Sequence, residues 1–356
     1  MEPEKILVFN TAFIGDVILT LPLVQTIRSQ FPSSNITFVA IPLAAGVLQS
    51  HPAIDNVIQY DKRGNDRGLH GMFRLASQLR HHRFDLAIVP HRSIRSALVA
   101  WLARIPRRMG FSTSAGRFLL TDVVPYKKDR HEIHRNLDLL TPLRINSLPG
   151  ELPSLYPSRA DKSVVDDLLH SAGFKTSETI AAIAPGSVWN TKRWLKEGFI
   201  ELGRMLTSEG VSVALVGGKS DEALCREIES ALASRRVVNA AGRLSPLQSA
   251  ELIHRCRVAI SNDSAPMHMA VAMRTPVVAV FGPTVPEFGF APGGPDDQIV
   301  QTHGLSCRPC SIHGGDECPI KTFVCMKNIS AGTVFEKVQS ILSRVVSETD
   351  KAPTRS

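Results

Sequence analysis

Short apolar runs alternate with longer amphipathic segments along most of the chain. In the first half, four runs have the length and β-branched content of buried strands: Lys5–Asn10, Asn35–Pro42, Asn56–Tyr60 and Asp85–Pro90. Between them, apolar spacing predicts helices over Val17–Ser29, Ala44–Ser50 and Gly71–His82. Apolar strands that alternate with helices are typical of a parallel sheet covered on both faces. The pattern therefore predicts an α/β fold.

The same alternation resumes in the second half, after an interruption. Prolines and a glycine break every periodicity over Asn146–Ser158, which predicts a linker between two domains. Beyond it, strands are predicted over Thr179–Ala184, Val211–Val216, Val258–Ile260 and Val277–Phe281. Helices are predicted over Ala160–Ala172, Ala265–Met273 and Ala331–Val346. We therefore expect one domain over residues 1–150, a second over 160–330, and a final helix over 331–346.

The stretch Val258–Pro292 is a strand, a polar loop, a small-residue helix and a second strand. Its loop, Ser261-Asn262-Asp263-Ser264, stands where the carboxyl end of a parallel strand meets a helix N-terminus. Free backbone N–H groups and a positive dipole end favour phosphate at such a place. Asp263 and Ser264 are candidates to hold a phosphate or a ribose. The alternative is that Asp263 only caps the helix.

Two further strand ends carry candidate binding residues. Pro185-Gly186-Ser187 follows one strand, and small residues there permit a close approach to phosphate, to which Lys192 adds a mobile positive charge. Gly217-Gly218 follows the next strand at the same sheet edge. The alternative for Lys192 is an ordinary surface lysine.

The chain opens with a strand, a loop and a helix, but it lacks a dinucleotide fingerprint. Gly15 is the only glycine in the loop Thr11–Asp16, which argues against a nicotinamide or flavin enzyme. Asp16 lies at the mouth of the predicted crevice, where a carboxylate can be a general base or a helix cap. Gly15 beside it allows close approach of a substrate.

The composition indicates the kind of protein, its net charge and the class of partner that it would bind. The 356 residues are 43% hydrophobic and 21% charged, as in globular proteins, and no apolar run approaches the length of a membrane span. The N-terminus lacks the basic region of a signal peptide, so we expect a cytoplasmic protein. A net charge of +8 favours anionic partners, whether nucleic acid, a membrane face or a phosphorylated substrate.

Four of the six cysteines follow the candidate stretch with the spacing C-x2-C-x7-C-x6-C: they are Cys307, Cys310, Cys318 and Cys325. Four thiolates at such spacing can bind a structural zinc ion. The second pair lacks the tight spacing of a zinc ribbon, and a cytoplasmic disulfide is disfavoured. The alternatives are reduced cysteines that pack as small apolar side chains, or cysteines that staple a surface loop.

Several of these motifs together resemble glycosyltransferase family 9, the ADP-heptose:lipopolysaccharide heptosyltransferases. The matching elements are Gly15-Asp16-Val17 with Leu19-Thr20-Leu21-Pro22, Pro185-Gly186-Ser187 with Lys192, Asp263 with His268, and Phe281-Gly282-Pro283-Thr284. The resemblance implies a GT-B fold, in which two Rossmann-like domains face each other across a cleft. It also implies that the last helix crosses back to the first domain.

The resemblance further implies an inverting transfer of heptose that requires no metal. Asp16 would deprotonate the acceptor hydroxyl, and Lys192 would stabilise the departing ADP. The second domain would hold the donor ADP-heptose, and the residues implied to bind it are Gly15 of the first domain and, in the second, Ser187, Thr191, Gly217, Gly218, Asp263, Ser264, Ala265 and His268. An acidic residue among Ser220, Asp221 and Glu222 would hold the ribose, in a register that the sequence leaves open.

The partners implied are ADP-heptose, an anionic Kdo- and heptose-bearing lipid A acceptor, and the cytoplasmic surface of the inner membrane, where the protein would be peripheral. Nucleic acid is not expected. Two alternatives remain open: a GT-B enzyme that uses another nucleotide sugar, and a noncatalytic protein that binds a nucleotide sugar or nucleic acid. Asp16 argues against the noncatalytic class, because a pure binder gains little from a carboxylate that faces an anionic ligand.

Overall fold

The chain forms two compact units that divide between Tyr156 and Pro157. The computed structural model describes residues 2–145 and 150–349. The division falls inside the stretch Asn146–Ser158, of which residues 146–149 lie outside the described residues.

The first unit contains a six-stranded parallel sheet with the strand order β3-β2-β1-β4-β5-β6. Its strands are β1 Lys5–Phe9, β2 Asn35–Ala40, β3 Asn56–Gln59, β4 Leu86–Val89, β5 Arg107–Phe111 and β6 Asp122–Val124. Its helices are α1 Ile14–Ile18, α2 Leu21–Gln30, α3 Pro42–Ala45, α4 Gly68–His82, α5 Ile94–Leu102 and α6 Glu132–Asp138. On one face of the sheet, α4 and α5 share a core with β1, β2 and β4 through Met72, Leu75, Val99 and Ala100. Burial of these apolar faces drives the packing.

The second unit repeats this architecture, with the strand order β12-β11-β10-β7-β8-β9 and all pairs parallel. Its strands are β7 Ile180–Ala184, β8 Ser212–Leu215, β9 Val237–Asn239, β10 Val258–Asn262, β11 Val277–Phe281 and β12 Gln298–Gln301. Its helices are α7 Arg159–Ser171, α8 Lys196–Ser208, α9 Glu222–Leu232, α10 Pro246–His254, α11 Ala265–Ala272, α12 Val324–Lys327 and α13 Ala331–Thr349. The predicted α/β class is confirmed in both units.

The final helix packs within the second unit. Helix α13 lies against α8 and the strands β10, β11 and β12, and Val334, Phe335, Val338 and Ile341 enter the core that these elements share. The prediction that it reaches the first unit stays a prediction.

The predicted helix Val17–Ser29 is in fact two helices. It breaks at Leu19 and Thr20, because Pro22 cannot donate a backbone hydrogen bond and the Thr20 hydroxyl takes part in local bonds. Thr20 Oγ1 donates to the carbonyl of Asp16 (2.8 Å) and accepts from Asn10 Nδ2 (2.9 Å). The break leaves Asp16 on a separate short helix.

The segment His131–Asn136 is polar in sequence but partly buried in the fold. Arg135 and Asn136 are each 2% exposed. Asn136 Nδ2 donates to the carbonyl of Leu19 (3.1 Å), and Arg135 donates to Tyr126, Glu132 and two backbone carbonyls. These hydrogen bonds offset the cost of burying the two polar side chains.

Within the described ranges, none of the helices combines the length and the apolar character needed to cross a bilayer.

Candidate active site

The site in the second unit is built around the buried carboxyl end of β10. The strand continues past the predicted Ile260 to Asn262, and Ser261 and Asn262 are both inaccessible to solvent. Asn262 accepts from the backbone N–H of Trp194 (2.9 Å) and donates to the carbonyl of Pro185 (2.8 Å). It thereby joins the loop after β7 to the loop that carries Lys192.

Asp263 forms an ion pair with Lys192. The Lys192 Nζ lies 2.7 Å from Asp263 Oδ2, and the two side chains are only 13% and 7% exposed. Thr284 Oγ1 donates to the same carboxylate oxygen over 2.7 Å. Asp263 therefore does not merely cap a helix, because it orients the lysine and is itself held by Thr284. Thr284 belongs to a motif that the sequence singles out, although its contact with Asp263 is found only in the structure.

Helix α11 begins directly after this ion pair. Its N-cap residue is Ser264, but the Ser264 hydroxyl makes no capping bond and donates instead to the carbonyl of Gly186 (3.3 Å). Neither Asp263, which precedes the N-cap position, nor Ser264 therefore caps this helix with its side chain. Ala265 is the first helical residue, and His268 follows one turn later and is 6% exposed. An N-terminus without a side-chain cap retains N–H groups that can face an anion.

A loop from further along the chain fixes the turn that carries Lys192. Thr191 lies in the turn Asn190–Lys192 and is 5% exposed. Its N–H and its hydroxyl both donate to the carbonyl of Gly315, over 3.0 and 2.8 Å, and its hydroxyl accepts from the Gly315 N–H over 2.8 Å. Thr191 thus holds the loop around Gly315 against the lysine turn.

The two glycine turns meet at Asp221. The Asp221 carboxylate accepts from the Gly218 N–H (2.9 Å), and a Cβ placed on Gly186 would lie 2.4 Å from this carboxyl group. Gly186 therefore cannot carry a side chain in this arrangement, which the Pro-Gly-Ser string signals only indirectly. The N–H of Gly242 donates to the Gly217 carbonyl (3.0 Å) and extends the contact to the loop after β9.

A polar cavity opens beside these turns. Its volume is about 300 Å³, and it is lined by Glu222, Arg226, Glu229, Asn239, Ala241 and Arg243. Among the three residues considered for the ribose, Glu222 faces this cavity, whereas Asp221 is engaged with the glycine turns. The structure therefore distinguishes Glu222 from Asp221 as a possible ribose ligand, whereas the sequence gives no reason to prefer either.

The loop that carries the cysteines contacts the strand end that carries Thr284, and it does so through Arg308. The Arg308 guanidinium donates to the carbonyls of Thr284 (2.6 Å) and Thr302 (2.9 Å) and to the Gln301 side chain (2.6 Å). Cys310 N–H donates to the Pro283 carbonyl (2.9 Å). The loop is therefore fastened to the strand end that carries Thr284.

The zinc prediction for Cys307, Cys310, Cys318 and Cys325 finds no support. In the part of the chain that the structure describes, no three His, Cys, Asp or Glu side chains form a group that could hold a metal ion. The four thiols are free, and they lie close enough for the charges of Cys307, Cys310 and Cys318 to act on Cys325. Backbone N–H groups, first that of Phe323, lower the pKa of Cys318, whereas burial raises the pKa of Cys325.

Gly15 and Asp16 lie in the first unit, in the first turn of α1 after β1, and both are half-buried. The Asp16 carbonyl anchors the turn through Thr20 and Asn10. This placement at the carboxyl end of a parallel strand agrees with the predicted strand-loop-helix.

Cations and a neutral histidine surround the loop before Asp16. Lys62 Nζ donates to the Thr11 carbonyl (2.7 Å), and His91 Nδ1 lies within 3.3 Å of the Thr11 hydroxyl and 2.9 Å of the Ser96 hydroxyl. Burial, followed by the charges of Lys62 and Arg92, lowers the pKa of His91 to about 4. Burial and then the charges of Arg63 and Arg95 lower the pKa of Lys62. His91 is therefore uncharged at neutral pH.

The structure thus brings nine predicted residues together along one edge of the second sheet: Ser187, Thr191, Lys192, Gly217, Gly218, Asp263, Ser264, Ala265 and His268. Sequence reasoning missed the roles of Asn262, Gly186 and Arg308. Asn262 could have been noticed in the sequence, because it is a polar residue at the end of an apolar strand.

The family model described as glycosyltransferase family 9 (heptosyltransferase) matches residues 72–318. Lipooligosaccharide heptosyltransferase 2 of Haemophilus ducreyi is 30% identical over 305 residues, which cover 80% of this chain and 85% of that protein. The structure of Escherichia coli ADP-heptose lipopolysaccharide heptosyltransferase II is 26% identical with a TM-score of 0.78, and covers 96% of this chain and 99% of that one. A family 9 glycosyltransferase from Veillonella parvula, 23% identical, superposes with a TM-score of 0.86 over 96% and 98% of the two chains. The fold is therefore of the GT-B class, and the chain belongs to glycosyltransferase family 9.

Proposed function

We propose that this protein transfers heptose from ADP-heptose to the inner core of lipopolysaccharide. The observation that carries the proposal is the buried pair of Lys192 and Asp263 beside the N-terminus of α11. A lysine fixed at this place suits an anionic leaving group. Family membership and the names of the two heptosyltransferase relatives support the sugar and the acceptor.

In the proposed donor complex, the diphosphate of ADP-heptose lies between Lys192 and the first turn of α11. Ser264 and Ala265 supply that turn, and Ser187 and Thr191 border the lysine. Asp263 carries a negative charge, so its part is to orient Lys192 or to accept hydrogen bonds from sugar hydroxyls. His268 is buried one turn into α11.

The nucleoside would occupy the cavity beside Gly217 and Gly218. Glu222 lines this cavity, and a carboxylate is a suitable acceptor for the two hydroxyls of a ribose. Asp221 is already engaged with the Gly218 N–H, which favours Glu222 for this role.

The proposed reaction is a single displacement with inversion at the anomeric carbon. Asp16 takes the proton from an acceptor hydroxyl, whose oxygen forms the new glycosidic bond as the bond to the β-phosphate oxygen breaks. ADP leaves with the electron pair of that bond, and Lys192 and the α11 N–H groups stabilise its charge. Gly15 gives the acceptor room beside Asp16. The acceptor proposed is a Kdo- and heptose-bearing lipid A on the cytoplasmic side of the inner membrane.

The experiment that tests this proposal measures ADP release from ADP-heptose with Kdo2-lipid A and, separately, with heptosylated Kdo2-lipid A. Release that depends on one acceptor supports heptose transfer and identifies which heptose is added. Absence of release with both acceptors, from a folded protein, rejects the proposal and directs the search to other nucleotide sugars.

A further inference from the structure

The ion pair at the donor site carries no net charge. Lys192 Nζ and Asp263 Oδ2 lie 2.7 Å apart and neutralise each other, and both side chains are almost fully buried. The proposed ligand contains a diphosphate, which is anionic in the donor and gains further negative charge as the sugar leaves. A neutral pair can orient such a group through the ammonium, but it does not balance its charge. A second cation at this edge of the sheet would therefore complete the site.

The overall charge of the second unit does not supply the missing attraction. Residues 1–156 contain 19 Lys and Arg against 12 Asp and Glu, whereas residues 157–356 contain 22 against 21. Almost all of the net charge of +8 therefore belongs to the first unit. A nearly neutral unit exerts little long-range attraction on an anion. We therefore expect the balancing charge to come from a particular side chain near Lys192.

Arg193 follows Lys192 directly, and its guanidinium reaches back to the loop after β7. Arg193 Nε donates to the carbonyl of Ser187 over 2.9 Å. In the parts of the chain that the structure describes, no carboxylate lies within 4 Å of this guanidinium, and neither Nη group has a hydrogen-bond acceptor. The two Nη groups can therefore act as a fork for a pair of phosphate oxygens.

The backbone on both sides of Arg193 is fixed. Its N–H donates to the carbonyl of Asn190 (3.0 Å), and the N–H of the next residue, Trp194, donates to the buried Asn262 (2.9 Å). The Trp194 ring is buried, and its Nε1 donates to the carbonyl of Ile329 (3.0 Å). A guanidinium that is held through its Nε and through its backbone loses little conformational freedom when it binds an anion.

Two other cations lie on neighbouring loops, and both are less suited to this part. The Arg308 guanidinium already donates to three backbone carbonyls and to the Gln301 side chain, so most of its N–H groups are engaged. Lys219 follows the glycine turn Gly217-Gly218 and is exposed. An anion that bound Lys219 would have to immobilise a long side chain, which costs conformational entropy. Arg193 is therefore the best placed of the three.

We propose that the Arg193 guanidinium binds the β-phosphate of the nucleotide sugar and supplies the positive charge that the ion pair lacks. Its two Nη groups donate to the phosphate oxygens, while Nε remains bonded to Ser187. Lys192 and Arg193 then hold the leaving group from adjacent positions, and the guanidinium balances the charge that develops on it. The inference rests on the proposed function for the identity of the nucleotide, whereas any nucleoside diphosphate fits the fork.

The test is calorimetric titration of the full chain with ADP, AMP and UDP. The wild-type protein is expected to bind ADP more tightly than AMP, because only ADP offers a β-phosphate. Arg193→Gln should raise the Kd for ADP about 10–100-fold and the Kd for AMP about twofold or less. Arg193→Lys keeps the charge but not the fork, so it should raise the Kd for ADP about three- to tenfold. The matched control is Arg204→Gln, at an exposed arginine that also donates to one backbone carbonyl, and it should leave both constants within about twofold.

The inference is overturned if Arg193→Gln keeps the wild-type preference for ADP over AMP, whether by binding both normally or by weakening both alike, since a merely structural role would change both. Equal loss in the control variant would also overturn it. If the wild type binds UDP in place of ADP with the same dependence on Arg193, the ADP-heptose donor is rejected and the inference stands. If ADP binding depends on Arg193 but neither acceptor supports ADP release, only the proposed function fails. If the wild type binds neither diphosphate, both fail.

Discussion

Lys192 is held by a carboxylate that has a second partner of its own. Asp263 Oδ2 is shared between Lys192 and Thr284, and both charged groups are almost fully buried. Removal of one member of such a pair leaves a buried charge without compensation, which costs about 3–5 kcal/mol. In the proposed mechanism a substitution of Lys192 therefore changes stability as well as catalysis, and a test must separate the two effects.

Lys192→Met is expected to lower kcat by about 10²–10³-fold, because a fixed positive charge at the leaving group is lost. It should also lower the free energy of unfolding. Lys192→Met/Asp263→Asn should recover much of that stability without recovering activity, as measured by denaturant unfolding and by ADP release. The control Lys196→Met breaks an exposed pair with Glu227 and should change neither by much. If the double variant regains activity, Lys192 does not act on the leaving group.

His91 gives a prediction for pH. Its pKa is lowered to about 4 in the folded protein, from about 6.5 in an unfolded chain. The unfolded state therefore binds the proton first as the pH falls, so this group favours folding above pH 6.5 and loses that contribution between about 6.5 and 4. The loss should reach about 3 kcal/mol. His91→Asn should reduce the slope of unfolding free energy against pH in this window, and an unchanged slope would contradict the assignment.

At the scale of elements, the loop that carries the cysteines is fastened to two parts of the site. Arg308 binds the carbonyl of Thr284, and Gly315 binds Thr191 next to Lys192. The loop therefore links the strand end that carries Thr284 to the turn that carries the lysine. In the proposed donor complex the loop acts through these hydrogen bonds, in which no cysteine side chain takes part.

Arg308→Lys should raise the Kd for ADP-heptose by about tenfold, since an ammonium group cannot reach all the acceptors that the guanidinium fork holds. Calorimetric titration with the donor measures this change, and thermal unfolding monitors stability separately. Arg344→Lys, at an exposed pair with Asp296, is the matched control and should leave donor affinity within twofold. A lower unfolding temperature with unchanged donor affinity would limit Arg308 to a purely structural role.

Eight of the strands and about half of the helices in the described residues were predicted, because each of these carries its own apolar pattern. The break between α1 and α2 was not, since it depends on a Thr20 hydroxyl that bonds across to Asn10. The edge strand β12 was missed because its outer residues are polar and only partly buried. The strand-end loops indicated which residues lie together at the candidate site, but the pairing of Lys192 with Asp263 joins positions 71 residues apart and requires the fold.

At the scale of the whole molecule, the two units differ in charge. The first carries nearly all of the excess, whereas the second is almost neutral. Donor and acceptor are both anionic in the proposed reaction, but only the acceptor would meet the strongly positive unit. Their dependence on salt should therefore differ.

An increase in ionic strength from about 50 to 300 mM should raise the acceptor KM about five- to tenfold, because exposed charges are screened over about 10 Å or less. The donor KM should change by about twofold or less, since the Lys192 charge is buried and less screened. Initial rates with each substrate varied in turn measure both. If salt changed the two KM values equally, the result would contradict the proposal that the acceptor meets the positively charged unit and the donor the nearly neutral one.

The central claim is that the Asp16 carboxylate of the first unit is the base in a heptosyl transfer. The most direct measurement is ADP release from ADP-heptose with the preferred acceptor, in wild type and in Asp16→Asn, with donor Kd determined for both. The exposed Asp129→Asn is the control. The account predicts that Asp16→Asn lowers release about 10²–10⁴-fold with donor Kd nearly unchanged. Full activity in Asp16→Asn would contradict it.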